Sequence, residues 1–310
     1  MQVFRTLEEV AGNFDRVCLA IGAFDGIHLG HQRVIGQARG DARNKGVGSV
    51  VLTFDPHPMR ILQPDKAPQL LTSTEHKLRL IEKLGVDASV VLAFDKSFSL
   101  LPAENFIETV AQTNRVQEIC VGTRFRFGHN RTGDVRLLES LAPKYGFVAR
   151  EIKPVQLDDE MISSTAIRQY ILRGQLDRAA AMLGRQFSVL GTVEPGDHRG
   201  REIGFPTANL NPHDEVLPPD GVYVVRVLLG QGSFGGVANI GTRPTFEQRN
   251  VRRILEVHVL NFDAAIYGKD VEVEFAKKLR DERKFDSVGT LKQQIAADVE
   301  SAREVLRESL

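Results

Sequence analysis

Near residue 185 the hydrophobic pattern of this chain changes period, and the two patterns admit different folds. On the amino-terminal side short apolar runs at 17–22, 49–54, 88–94, 118–121 and 147–152 alternate with stretches of helical spacing at 31–44, 75–84, 103–113 and 135–145. Strands separated by helices of roughly 10–15 residues predict a parallel sheet with crossover helices. In such a sheet ligands bind beyond the carboxyl ends of the strands. A helix expected over 166–183, with Ile167, Ile171, Leu172, Leu176 and Leu183 on its apolar stripe, ends this half at Gly184. Beyond it, strand-like runs at 189–193, 221–229, 235–239, 254–260 and 271–275 follow one another with only Gly, Pro, Asn and Asp clusters between them. That spacing predicts an antiparallel barrel or sandwich. Leu291, Ile295, Val299, Ala302 and Leu306 then mark one face of a terminal helix over 287–306, expected to pack on the barrel. The expected domains are 1–185 and 186–310.

Composition narrows the class of protein. With 42% hydrophobic residues the 310-residue chain can furnish a core in each half. Forty Lys+Arg offset forty Asp+Glu, so no basic field is available to drive binding to nucleic acid or an acidic membrane, and neither partner is expected. The two cysteines, Cys18 and Cys120, sit in apolar runs and read as reduced core residues rather than a disulfide framework. Glu8, Glu9 and Asp15 near the amino terminus argue against a signal peptide, and no run of about 18 apolar residues spans a bilayer, so a cytoplasmic protein is expected.

Three clusters carry chemistry. Directly after the first strand comes Gly22-Ala23-Phe24-Asp25-Gly26-Ile27-His28-Leu29-Gly30-His31, which is neither GxGxxG nor a Walker A loop. Gly22, Gly26 and Gly30 permit positive φ and close backbone approach. The following helix aims its free N–H groups at the turn, and a helical first turn brings His28 and His31 to one side. Together these make a phosphate site. A metal pair is the competing reading, but no HExxH or cysteine cluster completes a zinc site. Downstream, Ile162-Ser163-Ser164-Thr165-Ala166-Ile167-Arg168 sets Ser163, Ser164 and Thr165 at a helix start, where hydroxyls cap N–H groups or hold phosphate oxygens, and Arg168 can fork onto phosphates. Read alone, the same residues are a capped helix. In the second half Gly204-Phe205-Pro206-Thr207-Ala208-Asn209 follows a glycine-rich loop, 196–201. Thr207 and Asn209, two apart on an extended segment, face one ligand, and their hard oxygens suit Mg²⁺ carrying nucleotide phosphates. Without that context P-T-A-N is a turn between strands.

The first decapeptide contains the HxGH signature of the nucleotidylyltransferase superfamily and as a whole resembles the bacterial bifunctional riboflavin kinase/FMN adenylyltransferases. The resemblance continues in order through Thr53-Phe54-Asp55-Pro56-His57-Pro58, Val121-Gly122-Thr123-Arg124-Phe125-Arg126-Phe127-Gly128, the 162–168 motif, Pro206–Asn209, Gly221-Val222-Tyr223, Asn239–Thr245, Glu256-Val257-His258, Arg280 and Lys284-Phe285-Asp286. It implies an α/β nucleotidylyltransferase domain with a Rossmann-like parallel sheet, then an antiparallel β-barrel riboflavin kinase domain with a C-terminal helix. The implied enzyme converts riboflavin and ATP to FMN and FMN and ATP to FAD, with Mg²⁺. FMN and FAD are then substrate and product, and no oxidoreductase activity is expected. By resemblance His28, His31 and Arg168 are catalytic in adenylyl transfer, and Gly22, Phe24, Asp25, Gly26, Gly30, Ser163, Ser164 and Thr165 bind its ATP. Phe54, Pro56, His57, Pro58, Arg124 and Phe127 fall on its flavin side, with Arg124 standing where the family usually has an acidic or amide residue. In the kinase half the resemblance assigns Gly200, Thr207 and Asn209 to ATP and metal, Arg280 and Phe285 to flavin, and Glu256 to the general base. On its own, Glu256 in the alternating run ILEVHVL reads equally as solvent-facing.

Two rival readings are of other kinds. Class I aminoacyl-tRNA synthetases also carry a HIGH-type turn, but their second motif is Lys-rich and 162–168 contains no lysine. A flavin-binding or storage protein without turnover shares the same motifs. A homo-oligomer is compatible with the sequence, which holds no residue evidence for it.

Overall fold

The computed structural model describes residues 1–196, 200, 203–243 and 252–308. By internal contacts the chain divides into two units, Met1–Ser164 and Thr165–Leu310.

In the first unit six strands, β1 (Gln2–Phe4), β2 (Val17–Ile21), β3 (Gly48–Asp55), β4 (Ala88–Ala93), β5 (Val116–Gly122) and β6 (Val148–Ile152), form one parallel sheet in the order β1-β4-β3-β2-β5-β6. Helices α1 (Leu7–Asn13), α2 (Leu29–Lys45), α3 (Pro58–Leu62), α4 (Thr74–Lys83), α5 (Lys96–Ser99), α6 (Ala103–Asn114) and α7 (Val135–Tyr145) lie in the connections. Alternation along the strands sorts the core into two layers. Leu19, Val50, Leu52, Val90 and Ile119 meet Val10, Phe106, Ile107 and Leu138 of α1, α6 and α7 on one face. Ala20, Val51 and Cys120 meet Ile35 and Ala38 of α2 and Ile81 of α4 on the other. Burial on both faces is why these strands read as unbroken apolar runs. Strand order reverses beside β2, so the carboxyl ends of β3, β2 and β5 stand side by side at a topological switch point, where sheets of this kind hold ligands.

The sequence reading contains five of these strands. The sixth, β1, is a three-residue edge strand that pairs only with β4, too short for any period to register. Cys18 and Cys120 are free, buried thiols in β2 and β5, and burial pushes both up, Cys18 to about 11. Asp41, Glu118 and Cys120 lie close enough to share a metal, but Lys45 Nζ sits 2.8 Å from Glu118 and Arg150 pairs with both carboxylates, so the cluster is already neutralised. A small antiparallel ribbon, β7 (Gln156–Leu157) and β8 (Glu160–Met161), follows the sheet.

The helix expected over 166–183 is two helices, α8 (Ser164–Leu172) and α9 (Leu176–Leu183). Gly174 adopts φ 73° and its N–H bonds back to the Ile171 carbonyl, a left-handed C-terminal stop. The apolar spacing masks the break because Ile167 and Ile171 before it and Leu176 and Ala179 after it are all buried, whereas Leu172, placed on the same stripe, is 43% exposed.

In the second unit β9 (Ser188–Glu194), β10 (Ala208–Asn211), β11 (Gly221–Leu229), β12 (Gly232–Arg243), β13 (Arg252–Val259) and β14 (Asp270–Arg280) close an antiparallel barrel in the order β10-β13-β12-β11-β14-β9. Its interior is filled by side chains: Phe187 stacks on Phe275 at 5.7 Å and Tyr223 meets Phe275 edge-on at 5.4 Å. The expected runs are strands here, and β10 is a sixth. Its sequence A-N-L-N shows little alternation, and it earns strand geometry by pairing with β9 on one side and β13 on the other, which removes the last open edges. The C-terminal helix, Val288–Glu308, packs Val299, Ala302 and Ile295 against Val222, Val224, Val237 and Leu260.

Candidate active sites

β2 hands the chain to the turn 22–28 and the turn to α2. His28 is the N-cap of α2, and its Nδ1 accepts the His31 N–H at 3.3 Å. A neutral ring capping through Nδ1 carries its proton on Nε2, as a donor. The His28 and His31 rings stack with centroids 3.5 Å apart and planes 19° apart, and Phe24 meets His31 edge-on at 5.3 Å. The expectation that one helical turn brings both imidazoles together holds in this geometry. The three glycines divide their work differently from the expectation. Only Gly26 has positive φ, 88°, while Phe24 (51°) and Ile27 (41°) hold the left-handed conformation despite their side chains. Such residues cost on the order of 1–2 kcal/mol each and persist only where packing fixes them; both are buried here. Gly22 and Gly30 instead make room: a Cβ on Gly30 would stand 3.1 Å from Cε1 of His28, and one on Gly22 3.0 Å from the Phe24 ring.

Asp25 braces the turn. One carboxylate oxygen accepts the N–H groups of Leu71 at 2.8 Å and Thr72 at 3.1 Å, and its carbonyl accepts the Ser164 hydroxyl at 2.9 Å. Gly26 N–H donates to Thr72 Oγ1 at 3.0 Å. Ser164 opens α8, Ser163 and Thr165 flank it, and Arg168 lies one helical turn further on, buried.

The neighbouring strand ends carry the other expected residues. After β3, His57 caps α3 by accepting the Met59 N–H at Nδ1, 3.2 Å, and Pro58 takes the first helical position. Phe54 is mostly buried and touches Phe94, Phe98 and Phe106; Phe106 in turn touches Phe127, and Phe127 stacks on Phe125 at 5.2 Å. Phe54 and Phe127 thus belong to one aromatic wall that runs from β3 to the loop after β5. Phe94, Phe98 and Phe125 of this wall are only partly buried; Phe125 lies within the motif 121–128, whereas no local pattern marks Phe94 and Phe98. Arg124 is exposed and its guanidinium meets the Met161 sulfur.

In the barrel, Gly196, Gly200, Thr207, Asn209 and Glu256 line one cavity of about 400 Å³, with Val193, Pro206, Val257, Val259 and the segment 262–267. Strand register explains the convergence. Asn209 on β10 and Asn239 on β12 both stand opposite Glu256 on β13, so the three side chains sit abreast on one face of adjacent strands. Glu256 is half-buried in this row, between the fully buried Leu255 and Val257 in sequence. The glycine-rich loop is pressed onto the oxygen donors: a Cβ on Gly200 would meet Thr207 Oγ1 at 3.1 Å and the Phe205 carbonyl at 2.5 Å, and one on Gly196 would overlap the Asn209 amide. Asn239 opens the motif 239–245 but receives no role from sequence, and nothing in the sequence marks 262–267; register and loop closure bring them here. Loop residues 197–199 and 201, with Pro244 and Thr245, lie outside the described residues.

Arg280 and Phe285 do not line this cavity. Arg280 forks onto Asp298 of the C-terminal helix, Nη2 to Oδ2 at 2.7 Å and Nε to both carboxylate oxygens at 3.1 Å, and gives Nη1 to the Asp281 carbonyl. Through that tie Arg280 fastens the helix to β14. It also lies 5.8 Å from the Phe285 ring, with Arg283 4.9 Å from the same ring.

Known proteins share both halves of this arrangement. The FAD synthetase family matches residues 12–166 and the riboflavin kinase family residues 183–306. The bifunctional riboflavin kinase/FMN adenylyltransferase of Escherichia coli K12 is 41% identical over 288 residues, 92% of this chain and 91% of the relative. Those of Haemophilus influenzae and Bacillus subtilis are 39% and 37% identical, covering 98% and 92% of this chain and 98% and 90% of the relatives. A Streptococcus pneumoniae crystal structure described as a macrolide-efflux protein superposes with a TM-score of 0.81 at 31% identity over 98% of this chain and 99% of that one. Among the described residues no helix is long and apolar enough to cross a membrane.

Proposed function

This chain belongs to the family of bifunctional riboflavin kinase/FMN adenylyltransferases, and on that premise we propose that residues 1–185 adenylylate FMN at the turn after β2 while residues 186–310 phosphorylate riboflavin in the barrel cavity. The enzyme is a transferase that makes FMN and then FAD at the expense of ATP. One observation carries the division of labour: the two family matches are consecutive and do not overlap, the first containing the histidine turn and Ser163–Thr165 and ending two residues before Arg168, the second containing Thr207, Asn209 and Glu256. Neither the tRNA-synthetase reading nor the storage reading has a counterpart among the matched families. We read the protein as cytoplasmic, with small molecules rather than nucleic acid or membrane as partners.

The two sites face different chemistry. In the kinase reaction a riboflavin primary hydroxyl attacks the γ-phosphorus, the bond to ADP breaks, and the hydroxyl proton needs an acceptor. Glu256 is that acceptor in our reading, held between Asn209 and Asn239 by register. Thr207 and Asn209 offer the hard oxygen donors that Mg²⁺ prefers, close to the loop that would meet ATP. When bound there, the ion neutralises charge on the triphosphate. In the second reaction an FMN phosphate oxygen attacks the α-phosphorus and pyrophosphate leaves. That nucleophile is already ionised, so the site supplies alignment and charge stabilisation instead of a base. His28, His31, Arg168 and the N–H groups opening α2 are the groups we assign to it, with Gly22, Phe24, Gly26 and Gly30 shaping the turn. Ser163, Ser164 and Thr165 serve its ATP as well. The Phe54–Phe127 wall, with Pro56, His57, Pro58 and Arg124, lies on the strand ends that would meet the flavin.

The test is chromatography of FMN, FAD, ADP and pyrophosphate after incubation of purified protein with ATP and Mg²⁺. Riboflavin should yield FMN and ADP, and FMN supplied alone should yield FAD and pyrophosphate; failure of either conversion removes the corresponding half. The cavity geometry adds a sharper expectation. Gly196→Ala forces the Asn209 amide out of the row, so FMN formation should fall about tenfold or more while FAD formation from supplied FMN is unchanged. Equal FMN formation in this variant would detach Asn209 from the reaction.

A further inference from the structure

α4 carries Lys77 where its apolar stripe should have a hydrocarbon, alongside Leu80 and Ile81, and the side chain is buried at 4% exposure. A lysine so placed normally carries its ammonium out to water. This one ends inside the domain, at the carboxyl ends of two central strands: Nζ donates to the Ala23 carbonyl at 3.0 Å and to Thr53 Oγ1 at 3.1 Å. Thr53 Oγ1 itself donates to Ala23 O at 3.2 Å, so the three groups form a closed triangle beneath the turn that carries His28 and His31. Both acceptors of the ammonium are neutral. The carboxylates nearest in influence are committed elsewhere, Asp25 to the N–H groups of Leu71 and Thr72 and Asp55 to the Thr74 hydroxyl at 2.8 Å.

An ammonium without a bonded carboxylate is an expensive way to hold a carbonyl, because burial penalises the charge. Burial pushes Lys77 down to about 8, against the opposing influence of Asp25 and Asp55, the charged groups that bear on it from the turn and from β3. A purely structural position would be served as well by methionine, leaving the Thr53–Ala23 bond intact. We propose that Lys77 is a positioning residue of the adenylyl-transfer site, fixing the Ala23 carbonyl and setting a positive charge beneath the turn for the polyanionic nucleotide. The inference rests on the adenylyltransferase reading of this turn and deepens it.

Two consequences separate it from a structural role. First, Lys77→Met should weaken ATP binding to this site and lower kcat/KM for ATP in FAD formation by about 10- to 100-fold, with FMN formation and the thermal midpoint near wild type. Lys77→Arg, which keeps the charge, should recover most of the affinity. Second, a bound triphosphate favours the ammonium form, so ATP binding at pH 8.5 should draw protons from solution. Titration calorimetry of Mg-ATP into full-length protein, in two buffers of different ionisation enthalpy, measures that uptake. Wild type should take up more protons than Lys77→Arg or Lys77→Met; the barrel site contributes equally to all three. If Lys77→Met does not fold, wild type against Lys77→Arg decides alone. The proposal is overturned if Lys77→Met forms FAD as wild type does, if Lys77→Arg binds ATP no better than Lys77→Met, or if proton uptake is the same with and without Lys77. Wild-type protein that makes no FAD from supplied FMN would instead remove the reading on which the proposal stands.

Discussion

Protein carrying His31→Ala should convert riboflavin to FMN at close to the normal rate and fail to carry FMN on to FAD, with the second activity reduced about 100- to 1000-fold. The asymmetry follows from where the ring stands. His31 is the third helical residue of α2, stacked on His28 at 3.5 Å and edged by Phe24 at 5.3 Å, in the unit matched by the FAD synthetase family. Alanine removes the imidazole that we assign to the developing charge. It leaves the cap bond intact, since that bond uses the backbone N–H of residue 31. The fold should therefore survive. His28→Ala is a less clean experiment, because it also deletes the N-cap and costs about 1 kcal/mol of stability; His28→Asn keeps a capping side chain while removing the imidazole. Parallel loss of FMN and FAD formation in His31→Ala would contradict the separation of the two sites.

Glu256→Gln should produce the mirror image. The amide keeps the size and the place between Asn209 and Asn239 but cannot take the riboflavin proton, and general-base catalysis is worth about 100- to 10,000-fold. FMN formation should fall by that factor, and FAD should appear at the normal rate only when FMN is supplied. Riboflavin phosphorylation that persists in this variant would take Glu256 out of the base role. Mixing His31→Ala with Glu256→Gln protein should restore the full route from riboflavin to FAD, because FMN released by one can be used by the other.

Much of this was legible in the chain, and what was not has physical causes. The buried strands of the parallel sheet announce themselves because both faces are covered, and the HxGH turn is readable because its glycines and histidines have fixed spacing on a strand-turn-helix unit. β1 and β10 owe their strand geometry to neighbours far away in sequence, so no local period marks them. The break at Gly174 was hidden by apolar residues that stay in phase across it. Lys77 was invisible for a different reason: a lysine in a helix reads as solvent-exposed until the fold shows two acceptors waiting for it. Arg280, placed on the flavin side by its motif position, carries a tie that no motif shows: Asp298, eighteen residues later, binds its guanidinium. The row of Asn209, Glu256 and Asn239 exists only through barrel register, although each of the three lies in a motif read from the sequence.

The strand that carries Asn209 also shuts the barrel, and this dual employment bears on how the protein can decay or be re-engineered. A lineage supplied with flavin already phosphorylated no longer needs the proton acceptor that we assign to position 256. It is not free to trim Ala208–Asn211, whose removal would expose two raw edges to passing chains. Retired kinases of this design should therefore keep the latch long after the machinery beside it has rusted.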